Sequence, residues 1–180
     1  MIERILIAAI DKDGGIGKDG YMPWHYPEDL KLFMKLTIGS TIVMGRKTFD
    51  GMFDRQKAPL KKRKNIIITS RATEYQSRFS GEYDTTQLDF TTDLSCANLE
   101  LDSKVFYCGG ADIYHQSLEL VDIIYLTRFA ESYDCDTFFP AAPASTSTTF
   151  IPNIPSHLFL SSTTEIPAEQ PFILETYTRK

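Results

Sequence analysis

The amino-acid sequence predicts an α/β fold, a mostly parallel sheet with an antiparallel edge, and three observations predict it. Short apolar runs bounded by turn chemistry recur at Ile5 to Ile10, Thr41 to Met44, Asn65 to Thr69, Val105 to Cys108 and Ile123 to Leu126. Uninterrupted β-branched runs of this length suit strands buried on both faces, the habit of a parallel sheet. Helical patterns fall between some of them, at 27 to 38 and 111 to 120, and strands alternating with helices build parallel units. Near the end, LFLSSTTEI and PFILETYT flank a polar turn and read as a hairpin, which supplies the antiparallel edge.

The elements follow in chain order. The first apolar run, ILIAAI, ends at Asp11 and is too short for a signal sequence or a membrane span, so the chain is expected to be soluble, unprocessed and without a membrane partner. The loop DKDGGIGKDGYMPW, 11 to 24, carries Gly14, Gly15, Gly17 and Gly20. Its length and glycine content suit a mobile lid over a site, or a plain surface loop. In the helix at 27 to 38, Pro27 takes the first position, Glu28 and Asp29 the first turn, and Leu30, Phe33, Met34 and Ile38 form an apolar stripe. Asp29 falls at the edge of that stripe, with Glu28 turned further toward solvent. Two readings stand: the acids complement the helix dipole, or Asp29 faces a pocket beside Trp24 and hydrogen-bonds a ligand. Residues 71 to 103 are polar and weakly patterned, with a strand and a short helix among them, and AAPASTSTTF, 141 to 150, reads as a loop.

Composition narrows the function. The 180 residues, 42% hydrophobic, suit one domain spanning 1 to 180. A net charge of −5 argues against a nucleic-acid partner. The cluster Lys61, Lys62, Arg63, Lys64 reads as a solvated loop, or as a place where a small anionic substrate is met. The three cysteines, Cys96, Cys108 and Cys135, form no CxxC pair, so neither a disulfide framework nor a metal site is expected, and a reducing cytoplasm fits best.

Two strand ends carry glycine. One run stops at Gly45 before a helix beginning at Arg46 to Thr48, and another stops at Gly109-Gly110 before ADIY. Glycine there lets backbone approach a ligand, and the free N–H groups of a helix start attract phosphate. Neither turn is a GxGxxG or GxxxxGK[ST] motif. Ligands of open α/β sheets nonetheless lie at strand C-terminal ends. Arg46, Lys47, Ser70 and Arg71 read either as charge and hydroxyl donors around a nucleotide with an extra phosphate, or as ordinary exposed side chains.

The sequence resembles the dihydrofolate reductase family over nearly its full length, through IAAID, GIGKDGYMPW, PEDLKLF, IVMGRKTF, RKNIIITSR, VFYCGGADIYHQSL, IYLTRF, DCDTFFP and FILETY in that order. The resemblance implies a sheet of about eight strands with helices on both faces. It also implies hydride transfer from NADPH to C6 of dihydrofolate while N5 gains a proton. Asp29 would pair with N3 and the 2-amino group of the pterin and Thr127 with the same carboxylate, with Trp24 and Met22 as the other catalytic positions; burial would raise the pKa of Asp29. Ile7 and Cys108 would offer backbone carbonyls to the pterin, with Ala8, Leu30 and Tyr114 as further substrate contacts. Phe33, Met52 and Leu60 would line the aminobenzoate channel and Arg63 would grip the glutamate α-carboxylate. Toward NADPH, the backbone of Ala9 and Ile16, with Gly17, would hold the carboxamide. Gly45, Arg46, Lys47 and Thr48 would cradle one end, and Gly109, Gly110, Ala111, Asp112 and Ile113 the pyrophosphate, beside Cys108 and Tyr114. Thr69, Ser70 and Arg71 would border the 2′-phosphate.

Antifolate inhibitors are expected ligands, and the enzyme is expected to be a monomer. The segment 53 to 65 is longer than in short bacterial relatives, and Lys61-Lys62 stands where the family has Pro-Gly; His25 and Tyr26 are taken to face the lid without a role. The alternatives are a pyrimidinone reductase of the riboflavin pathway, which shares the fold, and a silent pterin- or nucleotide-binding protein.

Overall fold

Strand side chains alternate between faces, and in this computed structural model that alternation builds two cores on a single sheet. The structure describes residues 2–95, 104–142 and 149–180. The elements run β1 (Glu3–Ile10), β2 (Gly15–Gly17), α1 (Pro27–Thr37), β3 (Thr41–Gly45), α2 (Arg46–Gln56), β4 (Lys64–Ile68), α3 (Ala72–Phe79), β5 (Leu88–Thr91), β6 (Lys104–Tyr107), α4 (Ala111–Ser117), β7 (Ile123–Arg128), β8 (Thr137–Phe138), β9 (Phe159–Ile166) and β10 (Phe172–Thr178), with a 3₁₀ turn over Leu118–Leu120.

Leu6, Ala8, Ile10, Val43, Ile66, Val105, Tyr107, Ile124 and Leu126 meet α4 on one face, around Ile113, Tyr114 and Leu118. Ile5, Ile42, Met44, Ile67 and Phe106 meet the other three helices on the opposite face, around Phe49, Tyr75 and Phe79, with Phe33 and Leu36 packed alongside. Leu6, Ile10, Ile42, Ile67 and Ile124 have no exposed surface, and full burial of such a side chain is worth about 1.5–3 kcal/mol.

The eight strands of the main sheet lie in the order β5-β4-β3-β6-β1-β7-β10-β9. The first six pair in parallel, and β10 runs antiparallel to both β7 and β9, as the terminal hairpin predicts. β1 pairs with β6 only as far as Leu6 opposite Tyr107, but with β7 as far as Ile10 opposite Arg128. A cleft therefore opens past Leu6 and Tyr107. The chain leaves β1 toward one face and β6 toward the other, so this is the switch point where open α/β sheets take ligands.

Some expected boundaries shift. The first helix ends at Thr37, and the last three residues of 111 to 120 tighten into the 3₁₀ turn. The segment 53 to 65 is not one long loop, because α2 extends to Gln56 and is closed by Lys57 in the left-handed region, its N–H bonded to the Phe53 carbonyl. Within 71 to 103 the expected helix and strand are α3 and β5; Cys96 and residues 143–148 of the Ser/Thr-rich loop lie outside the described residues. The glycine-rich 11 to 24 segment is docked, with β2 paired antiparallel to β8 in a small ribbon of its own.

Candidate functional site

Pro27 starts α1 and places Asp29 in its first turn, where the helix passes the end of β7. The Thr127 hydroxyl, on a buried β7 side chain, donates to Asp29 Oδ1 at 2.7 Å. Burial pushes the Asp29 carboxyl above its ordinary pKa, opposed by the Thr127 hydrogen bond, which favours the ionised form. Among the described residues Oδ2 has no protein donor, so this oxygen and a half-exposed carboxylate are offered to the cleft. The apolar stripe of α1 divides here. Phe33 and Leu36 pack on the core, whereas Leu30, Met34 and Ile38 are 53%, 43% and 53% exposed. An apolar helix face left open beside a half-exposed acid suits the wall of a binding cleft.

Across the cleft, Tyr114 on α4 donates its hydroxyl to the Ile7 carbonyl at 3.0 Å. Gly109 has φ +98, and a Cβ there would lie 2.9 Å from the Tyr114 hydroxyl, so only glycine fits. The adjoining turns interlock: the Gly45 N–H donates to the Gly109 carbonyl at 2.8 Å, and a Cβ on Gly110 would lie 3.3 Å from Thr48 Oγ1. Neither α2 nor α4 has a side-chain N-cap. Two uncapped helix starts side by side, with bare backbone between them, fit a pyrophosphate. Lys47 and Asp112 are exposed and Thr48 and Ala111 half-buried at that edge, while the Ile113 side chain belongs to the core, leaving its backbone for a ligand.

The charged groups further along the edge are already partnered. Arg46 pairs with Asp50 at 2.8 Å, and Asp50 accepts the Tyr75 hydroxyl at 3.0 Å. Arg71 chelates Glu74 at 2.7 and 2.5 Å and lies over the Tyr75 ring. Ser70 is exposed, and Thr69 is buried with its hydroxyl accepting the Arg71 N–H. A phosphate arriving here would exchange partners with the two carboxylates.

Arg63 corrects the reading of Lys61 to Lys64 as a solvated loop. Its guanidinium is buried, donating from Nε to Thr37 Oγ1 at 2.9 Å, from Nη1 to the Lys61 carbonyl at 2.8 Å and from Nη2 to the Met34 carbonyl at 2.9 Å. The open carbonyls at the end of α1 supply the acceptors that a basic run alone does not reveal. Burial lowers its pKa. Lys61 and Lys62 remain exposed. Leu60 joins Phe33 and Met52 in one apolar group, and Asn65 ties the Leu60 backbone down at 3.1 and 3.0 Å.

The other expected contacts divide by exposure. Met22 is exposed and Trp24 half-buried; Ala8 is buried in the core, and Ala9 and Trp24 both pack on the Tyr26, Phe129 and Phe172 cluster. Ile16 leans on the core, and the Gly17 carbonyl accepts the Asp136 N–H at 3.0 Å. Cys108 leaves the sheet half-buried, with its thiol pushed up by burial.

Sequence reasoning missed an aromatic group. Tyr26, expected to face the lid, is 6% exposed and stacks on Phe129 at 3.8 Å, with Trp24, Tyr133 and Phe172 around it. Tyrosine just before Pro27 was the available signal, but its partners are remote in sequence. Among the described residues no His, Cys, Asp and Glu side chains gather to hold a metal ion, and no helix is long and apolar enough to cross a membrane.

The family model described as dihydrofolate reductase matches residues 3–153. Dihydrofolate reductase from Haemophilus influenzae is 34% identical over 135 residues, covering 75% of this chain and 77% of its own. The Bacillus subtilis dihydrofolate reductase is 37% identical over 134 residues, covering 74% and 73%. A solved dihydrofolate reductase from Enterococcus faecalis, complexed with NADP(H) and RAB-propyl, aligns with a TM-score of 0.74 at 28% identity, covering 99% of this chain and 96% of that one.

Proposed function

The chain belongs to the dihydrofolate reductase family, and from that premise we propose how its own residues hold and reduce the substrate. It is an NADPH-dependent oxidoreductase that converts 7,8-dihydrofolate to 5,6,7,8-tetrahydrofolate. One observation carries the assignment of the site: the half-exposed Asp29 carboxylate is fixed by the Thr127 hydroxyl of β7 at 2.7 Å. A pterin presents adjacent N–H donors at N3 and the 2-amino group, and a carboxylate accepts both at once. Leu30 and Phe33 give that pair an apolar wall, and the Ile7 and Cys108 carbonyls face the pterin from the strand ends. Antifolates that present the same two donors take the same place.

NADPH, when bound, supplies the hydride delivered to C6. Gly45 to Thr48 and Gly109 to Ile113 hold its phosphates, because their turns are bare and their helix starts uncapped. Arg46, Ser70 and Arg71 border the 2′-phosphate, and Ala9, Ile16 and Gly17 meet the carboxamide. In its ionised form Asp29 would accept the pterin donors; in its protonated form, which burial favours, it would pass a proton to N5 through water beneath the Met22 segment and regain one from solvent. Placement of the reacting atoms supplies much of the rest of the rate. Arg63 grips the glutamate α-carboxylate from a clamped position, which lowers the entropy lost on binding. We propose further that the enzyme acts as a monomer, and free thiols at Cys108 and Cys135 suit a reducing cytoplasm.

The test is loss of NADPH absorbance on adding dihydrofolate. Parent protein should consume NADPH in proportion to substrate, and Asp29→Asn should not; equal rates in both would remove Asp29 from the mechanism.

A further inference from the structure

Both ends of the 11 to 24 segment meet Tyr133, beside a bond from the Lys12 N–H to the Glu131 carbonyl at 3.0 Å and an edge contact of Trp24 with Phe129 at 5.2 Å. At the start of the segment, the buried Asp11 carboxylate accepts the N–H groups of Asp13 at 2.9 Å and Gly15 at 2.6 Å through Oδ1, and the Tyr133 N–H at 3.0 Å through Oδ2. At its end, the Tyr133 ring meets Trp24 edge-on at 5.4 Å. Beyond that, the Tyr133 hydroxyl lies 2.9 Å from the Tyr26 hydroxyl. Tyr26 is the residue before α1, its carbonyl accepts the Leu30 N–H at 3.1 Å, and Asp29 lies within that turn. Its ring is held between Phe129, stacked at 3.8 Å, and Phe172, edge-on at 6.0 Å.

The middle of the segment is held differently. Lys18 reaches Asp134 at 2.5 Å and the Asp19 N–H reaches Asp136 at 2.8 Å, both contacts exposed to water. Exposed ion pairs contribute little. The two ends are thus anchored in buried or aromatic surroundings and Gly15–Gly17 is paired with β8, whereas Lys18 and Asp19 are only latched.

We propose that Tyr133 is a positioning residue for pterin reduction: its backbone fixes the start of the lid, its ring fixes Trp24, and its hydroxyl fixes Tyr26 and thereby the turn that carries Asp29. The proposal rests on the reading of Asp29 as the pterin's partner. Its consequence is that residues 18 to 22 can shift while Asp29 stays registered with Thr127. Aromatic edge contacts and a hydroxyl pair are individually modest, so the effect should be a graded loss rather than an on-off one.

Trp24 is the only tryptophan in the chain, so its emission reports this contact directly. Tyr133→Ala should shift Trp24 emission to longer wavelength and lower kcat/KM for dihydrofolate by about ten- to a hundred-fold, with KM for NADPH within about twofold of parent. Tyr133→Phe keeps the ring; it should leave the emission in place and lower kcat/KM by about three- to tenfold. Tyr26→Phe should match it, and the double variant should be no worse than either single one, because both remove the same hydroxyl pair. These phenylalanine variants decide the matter if the alanine variant does not fold. Parent-like emission and kinetics in Tyr133→Ala, with only a lowered Tm, would overturn the proposal. So would equal rises in KM for both substrates, or additive losses in the double variant. Unimpaired turnover by Asp29→Asn would instead sink the reading of the pocket, and the Trp24 shift would still show whether Tyr133 fixes that ring.

Discussion

Replacing Thr127 by valine removes one hydroxyl from a buried strand position and leaves the shape of the side chain nearly unchanged. That hydroxyl donates to Asp29 at 2.7 Å, and Thr127 is 3% exposed, so water has little room to take its place. A hydrogen bond to a charged group is worth about 1.5–3 kcal/mol. That corresponds to about a ten- to a hundred-fold change in the ratio of ionised to protonated carboxylate at a given pH. Burial already raises the Asp29 pKa, and the Thr127 bond opposes it, so Thr127→Val raises it further.

Two results follow. The alkaline fall in kcat, which tracks loss of the Asp29 proton, moves to higher pH. At neutral pH KM for dihydrofolate rises by about tenfold or more, because the ionised form that accepts the pterin donors is scarcer and less well aimed. Stability changes in the same sense. A carboxyl with a raised folded-state pKa carries a cost that is complete above that pKa and absent below its unfolded value. Thr127→Val therefore unfolds more easily than parent at neutral pH, and the gap narrows on acidification below the ordinary carboxylate range. Rate profiles from pH 5 to 10, taken as about that range, and melts at both extremes measure these effects. Thr127→Ser keeps the donor and serves as control. A valine profile that overlays the parent's, or a serine profile displaced as far as the valine's, would refute the reasoning.

Asp29→Asn should lose turnover by about 10² or more, in line with general acid–base contributions. It should also melt higher than parent at neutral pH, since it removes a charge whose burial is unfavourable, with the advantage fading in acid; a lower neutral-pH Tm would contradict the raised pKa. Arg63→Leu should raise KM for dihydrofolate far more than for a dihydropterin lacking the glutamate tail. It should also lower Tm, because the Met34 and Lys61 carbonyls lose their donor; equal KM changes would point to Lys61 or Lys62 instead. Arg46→Ala should raise KM for NADPH about tenfold and leave that for NADH nearly unchanged. Glu74→Gln should tighten 2′,5′-ADP binding by at most about fivefold in calorimetry, since it releases Arg71 from an exposed pair; weaker binding would mean that Glu74 aims the arginine rather than competing for it.

The strands were legible because each apolar run is local and its neighbours on both faces impose the same demand on every residue, as Ile42, Val43 and Met44 show by being wholly buried in alternating directions. The two glycine turns were legible for a similar reason, since a strand stopping at Gly45 or Gly109 needs no remote partner to be recognised. Asp29 was not settled by spacing: a first-turn acid complements the helix dipole equally well, and the proposed pocket reading leans on Thr127, 98 positions away. The aromatic clasp is hidden in the same way, with Tyr26 and Tyr133 separated by 107 positions. Glycine content suggested freedom in the 11 to 24 segment, but one carboxylate, Asp11, gathers three backbone N–H groups and pins its start.

Arg63 shows where the limit lies. Four consecutive basic residues look alike in sequence, and solvation is the default for each. The fold separates them because Thr37 and the Met34 carbonyl, 26 and 29 positions upstream, present acceptors to just one. Arg46 and Arg71 are the opposite case, each at a helix start with its partner, Asp50 or Glu74, four and three residues ahead on that helix. In sequence both arginines read as phosphate donors or exposed side chains and these pairs were not drawn, although the spacing rule for helical ion pairs accounts for them. That rule implies that the chain holds these arginines in place by local pairing until a more highly charged anion displaces the carboxylates.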